Sequence, residues 1–447
     1  MNNEALATKL QPATAYREQF ELLAGENLFG DGPLFLQRLR RDAIERFADL
    51  SFPTTAWEDW KHTNVKALAD TDFQFPAPEP AVTATITPLL LDGCPRLVFQ
   101  AGRLAPDLSN RADLPAGVTV ANRGDAVDEL PELLEEHFGH LAPWKEHPFV
   151  ALNTACWIDL AVIHVDPDVI MERPIQVIHL TGKAERPTLT MPRILLVAGA
   201  GSRVTVLEHL IGAGPSPYWL NAVTEISAGP AARVEYALKQ QGQTDGFHTA
   251  TVAVRQERDS QVRLHALTTG GRLTRIDTST RLDGPGAEAT MGGLYLARGR
   301  EHVDHHTRID HVAPNCTSRE NYKGILDDQG HGVFNGLVVV HPDAQQTDAA
   351  QSNRNLMLSD SAVINTNPQL EIYADDVRCG HGSTVGQLEE EALFYLRTRG
   401  LAVPDAQRLL IDGFAGEVLD LIDDPALRKY LQHTVSAWMA AGEPAHA

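Results

Sequence analysis

The chain has 447 residues, 43% of them hydrophobic and 22% charged, with a formal net charge of -21. That length suits two or three domains around a large core, and the composition is that of an ordinary soluble protein. The acidity argues against nucleic acid, since phosphate binding needs clustered Lys and Arg. RILLVAGAG and GLVVV fall far short of the roughly 20 apolar residues that span a bilayer. The N-terminus MNNEALATKLQPA lacks a basic stretch followed by an apolar one, so the cytoplasm is the expected compartment. Cys94, Cys156, Cys316 and Cys379 are widely spaced without a CxxC pair. This argues against a disulfide framework and against a self-contained four-cysteine metal site.

Residues 1–149 read as a mostly helical domain with a linker. Leu36, Leu39, Ala43, Phe47 and Leu50 recur at spacings of three and four after the DGP turn at 31–33, the pattern of an amphipathic helix. AVDELPELLEEHFGHL places Leu130, Leu133, Leu134, Phe138 and Leu141 on one further helical face. FQFPAPEPAVTATITP reads as a linker, and RLVF and VTVAN as short strands.

Residues 150–376 change pattern. VIHV, PIQVIHL, RILLVAG, RVTVLEH, RVEYALK, TVAVRQ and QVRLHAL alternate with period two between Gly, Pro, Ser and Asp, which predicts strands. GAGSRVTVLEH, GPAARVEYAL and RDSQVRLHAL share a turn followed by Val204, Val234 and Val262. A repeat of about 30 residues in an all-strand region suggests a solenoid whose coils bury only against their neighbours. A β-sandwich with evenly spaced hairpins would give the same spacing. Residues 377–447 turn helical: EEEALFYLRTRG has acids first and Arg last, with Gly400 as a C-terminal cap. DAQRLLIDGFAGEVLDLI and DDPALRKYLQHTVSAWMAAG supply two more helices. Such a tail can close a solenoid end or offer a docking face.

No GxxxxGK[ST] sequence exists, and the GK pair Gly182-Lys183 is followed by Ala, so no ATP hydrolysis is expected of this chain. HVDHHTRIDH holds His302, His305, His306 and His311, with His331 and His341 beyond. On a strand His302, Asp304 and His306 share a face, where they could hold zinc or iron or simply form a polar surface. Cys379-Gly380-His381 offers a thiolate and an imidazole two residues apart, both good iron ligands. Two ligands do not close a cluster site, so a partner would have to supply the rest; on the residues alone, a buried thiol and a turn histidine is the favoured reading of the pair. Asp375-Asp376 evokes a carbohydrate-active β-helix enzyme, but adjacent carboxylates on a strand face opposite ways.

NTNPQLEIYADDVRCGHGSTVGQLEEEALFYLRTRG closely resembles the C-terminal signature of the SufB/SufD family of iron–sulfur cluster assembly scaffolds. QTDAAQSNRNLMLSDSA and YKGILDDQGHGVFNG resemble its solenoid segments, FPTTAWEDWKHTNV its N-terminal motif, and HPFVALNTACW its first core strand. Together the matches run from about residue 50 to 415. The family's two branches read H-E-A-T and H-G-A-T at this point, and His381-Gly382-Ser383-Thr384 sides with the second, the SufD branch. Ser383 departs from the usual Ala. The stretch that is Q-C-D-S-like in the SufB branch is Gln351-Ser352-Asn353-Arg354 here. The resemblance implies a right-handed parallel β-helix between helical N- and C-terminal domains, and a non-catalytic scaffold. It implies pairing with a SufB-type subunit through the β-helix and docking of a SufC-type ATPase on the helices after Glu389, through Phe394, Tyr395, Leu396, Arg399 and Gly400. His381, with Cys379 beside it, would stand at the subunit interface where iron or an iron–sulfur cluster passes transiently. No permanently bound cofactor is implied; a homodimer is an option when the partner is absent.

Overall fold

A computed structural model describes residues 12–441 except 31, 77–85, 182–183, 213 and 215. The expected turn at Asp31, most of the linker and the Gly182-Lys183 pair fall wholly or partly outside the described residues. The N-terminal helices are α1 (Pro12–Gly25), α2 (Leu34–Leu50), α3 (Lys66–Ala69), α4 (Arg123–Glu129), α5 (Pro131–His137) and α6 (Pro148–Cys156). The expected stripe of α2 is present, with Leu36, Ala43 and Phe47 buried. Arg40 joins that stripe and donates to the carbonyls of Ala155 and Trp157 at 2.8 Å each. It thereby satisfies carbonyls at the end of α6, where a cation also complements the helix dipole.

Two expectations fail in this region. The stretch from Ala126 to Leu141 is two short helices, because Pro131 supplies no N–H to continue α4 and Leu130 leaves helical geometry at φ -130. HPFVALNTACW forms α6 instead of a strand. Pro148 sits in its first turn, His147 Nδ1 accepts from the Val150 N–H, and all nine residues are buried. A helix buried all round has no apolar stripe to betray it.

The strands begin with β1 (Arg96–Gln100), β2 (Arg103–Leu104), β3 (Val118–Ala121), β4 (Ala161–Val165), β5 (Ile175–Thr181), β6 (Thr188–Thr190) and β7 (Arg193–Ala198). Next come β8 (Arg203–Gly212), β9 (Tyr218–Ala228), β10 (Arg233–Gln241), β11 (Gly246–Gln256), β12 (Gln261–Thr269) and β13 (Leu273–Leu282). The series ends with β14 (Glu288–Ala297), β15 (His302–His311), β16 (Thr317–Leu326), β17 (His331–Val340), β18 (Asp348–Met357), β19 (Val363–Ile372) and β20 (Arg378–Gly386). From β8 onward the even strands stack in parallel in one sheet and the odd strands in the other. The result is a parallel β-solenoid of about eight turns, with β1 and β3 extending the two sheets at its start.

The repeat seen in the sequence is the stacking itself. Val204, Val234 and Val262 are register partners, and the column continues through Ala289, Ser318 and Ala349 to Cys379. Three residues before each column member from Val204 to Ala349 comes a corner in left-handed geometry: Gly201, Ala231, Asp259, Gly286, Asn315 and Gln346 all have positive φ. Each corner N–H donates to a carbonyl of the next coil, from Gly201 to Pro230 through to Gln346 with Asp376. A backbone demand for positive φ explains why small, Asn and Asp residues punctuate the repeat. The expected boundary at 376/377 falls in this last corner. Strand β20 carries the solenoid on to Gly386, and the paired carboxylates Asp375-Asp376 lie in the turn before it.

The two ends differ. Near the first, on the outer face of the odd-numbered sheet, Tyr16, Phe52, Phe73 and Phe149 surround Trp219 of β9 with ring centroids 5.1–6.2 Å away. At the other, β19 and β20 each pair on one side only among the described residues. The tail consists of α7 (Glu390–Thr398), α8 (Val403–Leu419) and α9 (Pro425–Ala441). Ile411, Ala415, Leu419, Leu427, Leu431 and Val435 pack on the outer face of the even-numbered sheet, against Leu207, Ala237, Leu267, Leu294 and Ile325. Among the described residues no helix is long and apolar enough to cross a membrane.

Candidate functional site

Cys379 and His381 lie on β20, the last rung of the even-numbered sheet. Both face the inside of the solenoid. Cys379 packs against the interior cluster, and Ser383, two residues beyond His381, meets Thr366 of β19 at 3.0 Å between hydroxyls. Side chains two apart on a strand share a face, so Cys379, His381 and Ser383 line the uncovered mouth of the interior. Cys379 is half-buried and His381 exposed. Burial raises the Cys379 thiol, only partly offset by the backbone N–H of Ala349. In this chain alone it is a thiol, and a metal or a nearby cation would be needed to draw off its proton.

Behind His381 the interior is polar. Its register partner is Gln351, whose partner is Glu320, with Met291, Leu264, Tyr236 and Val206 further back. Gln351 Nε2 donates to Glu320 Oε2 at 2.7 Å. Burial lifts the Glu320 carboxyl to about 6, against hydrogen bonds from Thr307 and Gln351 that lower it. A Cβ on Gly336 would stand 2.2 Å from Gln351 Nε2, so the bare glycine makes room for that amide. The sequence reading missed Gln351 and Glu320 as site residues. Stepping back one coil from His381, about 30 residues at a time, reaches both.

The histidine-rich strand β15 forms a different structure. His302, Asp304 and His306 share the outer face, as their spacing predicts, while His305 turns inward to stack on Tyr295 and to bond Thr268 at 3.0 Å. Thr63 of the N-terminal FPTTAWEDWKHTNV motif reaches both His302 Nε2, at 2.9 Å, and Asp304. The bonds fix one direction of donation. Asn365 donates to His331 Nε2 at 2.7 Å, so His331 Nδ1–H donates to His302 Nδ1 at 3.1 Å, and His302 Nε2–H donates to Thr63. Thr63 in turn donates to Asp304, which also accepts from Arg275 at 3.0 Å. Burial alone would raise Asp304, but His306 and Arg275 outweigh it and hold the carboxyl low. Burial lowers His302 to about 4. Every lone pair in the His302–His331 pair is engaged, leaving none for a metal. Among the described residues no group of three His, Cys, Asp or Glu side chains is arranged to hold one. The cluster fastens the N-terminal motif to the solenoid wall.

The expected docking residues lie on and after α7, which has no buried residue. Phe394 is 68% exposed and Tyr395 56%. Arg399 lies over the Tyr395 ring at 5.0 Å, and Gly400 takes φ +93, the left-handed cap expected of it. Leu396 is half-buried on the same helix. A large aromatic pair left in water on a short helix is the kind of surface that marks an interface. The mouth at His381 and this helix are separate features joined by residues 387–389.

Residues 179–414 match the SUF system FeS cluster assembly SufBD core domain, and residues 14–177 match the SufBD protein N-terminal region. An iron–sulfur cluster assembly SufBD family protein of Synechocystis is 33% identical over 97% of this chain and 98% of its own length. The iron–sulfur cluster assembly protein SufD of Escherichia coli is 29% identical over 89% of this chain and 92% of its own length. SufD of Bacillus subtilis is 26% identical over 95% and 98% respectively.

Proposed function

The chain belongs to the SufBD family of iron–sulfur cluster assembly proteins, and from that premise we propose that it is a SufD-type scaffold subunit of a cytoplasmic SUF complex. It performs no chemistry of its own. It pairs through the open end of its solenoid with a SufB-type subunit, and a SufC-type ATPase docks on α7 around Phe394, Tyr395, Leu396, Arg399 and Gly400. The observation that carries this reading is the placement of Cys379 and His381 at the uncovered mouth of the solenoid interior, beside two strands with free edges. Free edges pair readily with another chain. An imidazole and a thiol at such a mouth make half of a ligand set, and the paired subunit supplies the rest. Gly382, in the position that separates the family's branches, supports the SufD assignment. The same edges would accept a second copy of this chain when the partner is absent.

In this reading ATP-driven closure of the ATPase pulls on the helical tail, and α8 and α9, packed on the outer wall, pass the movement to the last coils. His381 then receives iron or a proton as the cluster, the complex's cargo, is built between the subunits. The test is His381→Ala in the co-expressed complex, read as cluster yield after reconstitution. We expect a loss of most of the yield with the complex intact; unchanged yield in an intact complex would overturn the role. Turnover of a polysaccharide by the isolated chain would overturn the scaffold assignment itself.

A further inference from the structure

We propose that Gln351, anchored by Glu320, is the positioning residue for His381: its side-chain oxygen accepts the imidazole N–H and so fixes which ring nitrogen is left for the partner's side. The proposal rests on the reading of His381 as a donor at the subunit interface. Gln351 is 3% exposed and its Nε2 is committed to Glu320. Its Oε1 is buried without a hydrogen-bond partner. A buried carbonyl left unpaired costs free energy and is rare in native interiors. The next side chain in its column, one rung toward the mouth, is His381, and like side-chain positions on adjacent rungs are about 4.8 Å apart. That spacing lets an amide oxygen and an imidazole N–H meet by rotation about the side-chain torsions of His381 alone.

The rest of the column makes the arrangement directional. Glu320 accepts only from the amide side of Gln351, so the amide cannot turn its oxygen inward without setting acceptor against acceptor. This direction belongs to the ionised Glu320; protonation gives it an O–H that can donate to the amide oxygen, as the amide introduced by Glu320→Gln can. Gly336 leaves the space in which the Gln351 amide sits. Second-sphere carbonyls commonly select the tautomer of a ligating histidine in this way. Thus Gln351 and Glu320, on the two rungs behind the mouth, decide how the last coil presents its nitrogen.

The test uses the full chain labelled with nitrogen-15 in histidine, the His381 signals being those lost in His381→Ala. At a pH where the ring is neutral, we expect one tautomer to dominate and its ring N–H to be protected from exchange. In Gln351→Leu the tautomer ratio should move by about fivefold, the ratio that a net hydrogen bond of ordinary strength sustains. Glu320→Gln, which frees the amide to turn, should move the ratio in the same direction. An unprotected His381 N–H in the unmodified protein overturns the proposal even if neither variant folds. An unchanged ratio in a folded Gln351→Leu protein does the same. In the complex, Gln351→Leu should lower cluster yield several-fold. If His381→Ala abolishes yield while Gln351→Leu changes neither spectrum nor yield, the positioning role fails and the scaffold reading stands. If His381→Ala leaves yield intact while the tautomer still shifts, the scaffold role of His381 fails and the positioning survives.

Discussion

The two ends of the solenoid are built from the same columns and put them to opposite uses. At the first coils the columns read Val204–Val234–Val262 and Val206–Tyr236–Leu264; at the last they read Ser318–Ala349–Cys379 and Glu320–Gln351–His381. The first end is closed by Leu97, Phe99, Val118 and Val120 of β1 and β3, with Leu104 and Leu114 packed against that interior, and the N-terminal helices and the aromatic shell around Trp219 cover the adjoining outer face of the odd-numbered sheet. The last end has no such cover among the described residues, and its interior row opens to solvent. Aliphatic columns lower the free energy of the fold by removing apolar area from water. Polar columns contribute little in that way, and their amides and carboxyls are worth keeping only where something must be oriented or held. These two columns are therefore apolar at one end and polar at the other.

The largest way to break the comparison is at the sealed end. Glu225 of β9 is fully buried beside Arg193 and accepts from the backbone N–H groups of Gly139, Leu141 and Ala142 at 2.8–3.0 Å. It locks the N-terminal domain onto the first coils. Glu225→Ala leaves Arg193 buried without its partner and three N–H groups unsatisfied, an expected cost of roughly 3–5 kcal/mol. Chemical denaturation followed by intrinsic fluorescence should show the loss in the first transition. A cost below about 1 kcal/mol would mean that the sealed end is not where the stability resides.

Much of this contrast was legible in the sequence, because a solenoid repeats its sidedness. Val204, Val234 and Val262 announced the stacking, and the Cys379-His381 pair stands out from an ordinary thiol and turn histidine only through the family resemblance. What the periodicity hid was polar continuity: Glu320 and Gln351 share no residue type with Val206 or Leu264, so their membership of the His381 column shows only once register is known. The helix α6 was hidden for the opposite reason. Every face of it is buried, the polar Asn153 and Thr154 included, so Pro148 to Cys156 shows no helical stripe to set it apart from a strand. The histidine cluster misled by composition alone, since the lone pairs of His302 and His331 are taken by His331 and Asn365 while His302 holds Thr63 through its N–H.

A smaller effect separates the carboxyls of the two ends by pH. Glu208, inside the early coils, accepts from Thr224 at 2.8 Å and from Tyr236, and faces His179 at 3.7 Å. Burial lifts Glu208 to about 7, and burial lowers His179 to about 3. Both are therefore neutral at pH 6, and the contact is not an ion pair. Because the folded state keeps a proton that the unfolded chain releases above pH 4.5, the Glu208 contribution falls as pH rises from about 4.5 to 7. Glu208→Gln removes that slope. The stability of the variant relative to the unmodified protein should climb through this window by on the order of 3 kcal/mol and then level off. Parallel urea titrations at several pH values would read it; a flat difference would mean that Glu208 is ionised in the fold.

The smallest effect is expected at the open end, where Val385 of β20 is the last member of a column that runs from Phe99 and His179 through buried Leu210, Tyr295 and Asn355. Val385 is 51% exposed. A lysine there can lay its stem along the mouth and keep its ammonium in water, so Val385→Lys should change the stability of the isolated chain by no more than about 0.5 kcal/mol. The equivalent change at Leu210, with no route to solvent, would bury a charge or force its neutralisation. In a mixture with a SufB-type subunit the same Val385→Lys should weaken association by at least tenfold, because the ammonium must then be desolvated against the partner. Sedimentation of the mixture measures the second quantity, and thermal melting of the chain alone the first. A large loss in melting temperature with unchanged association would mean that the last coil supports the fold and that partners bind elsewhere.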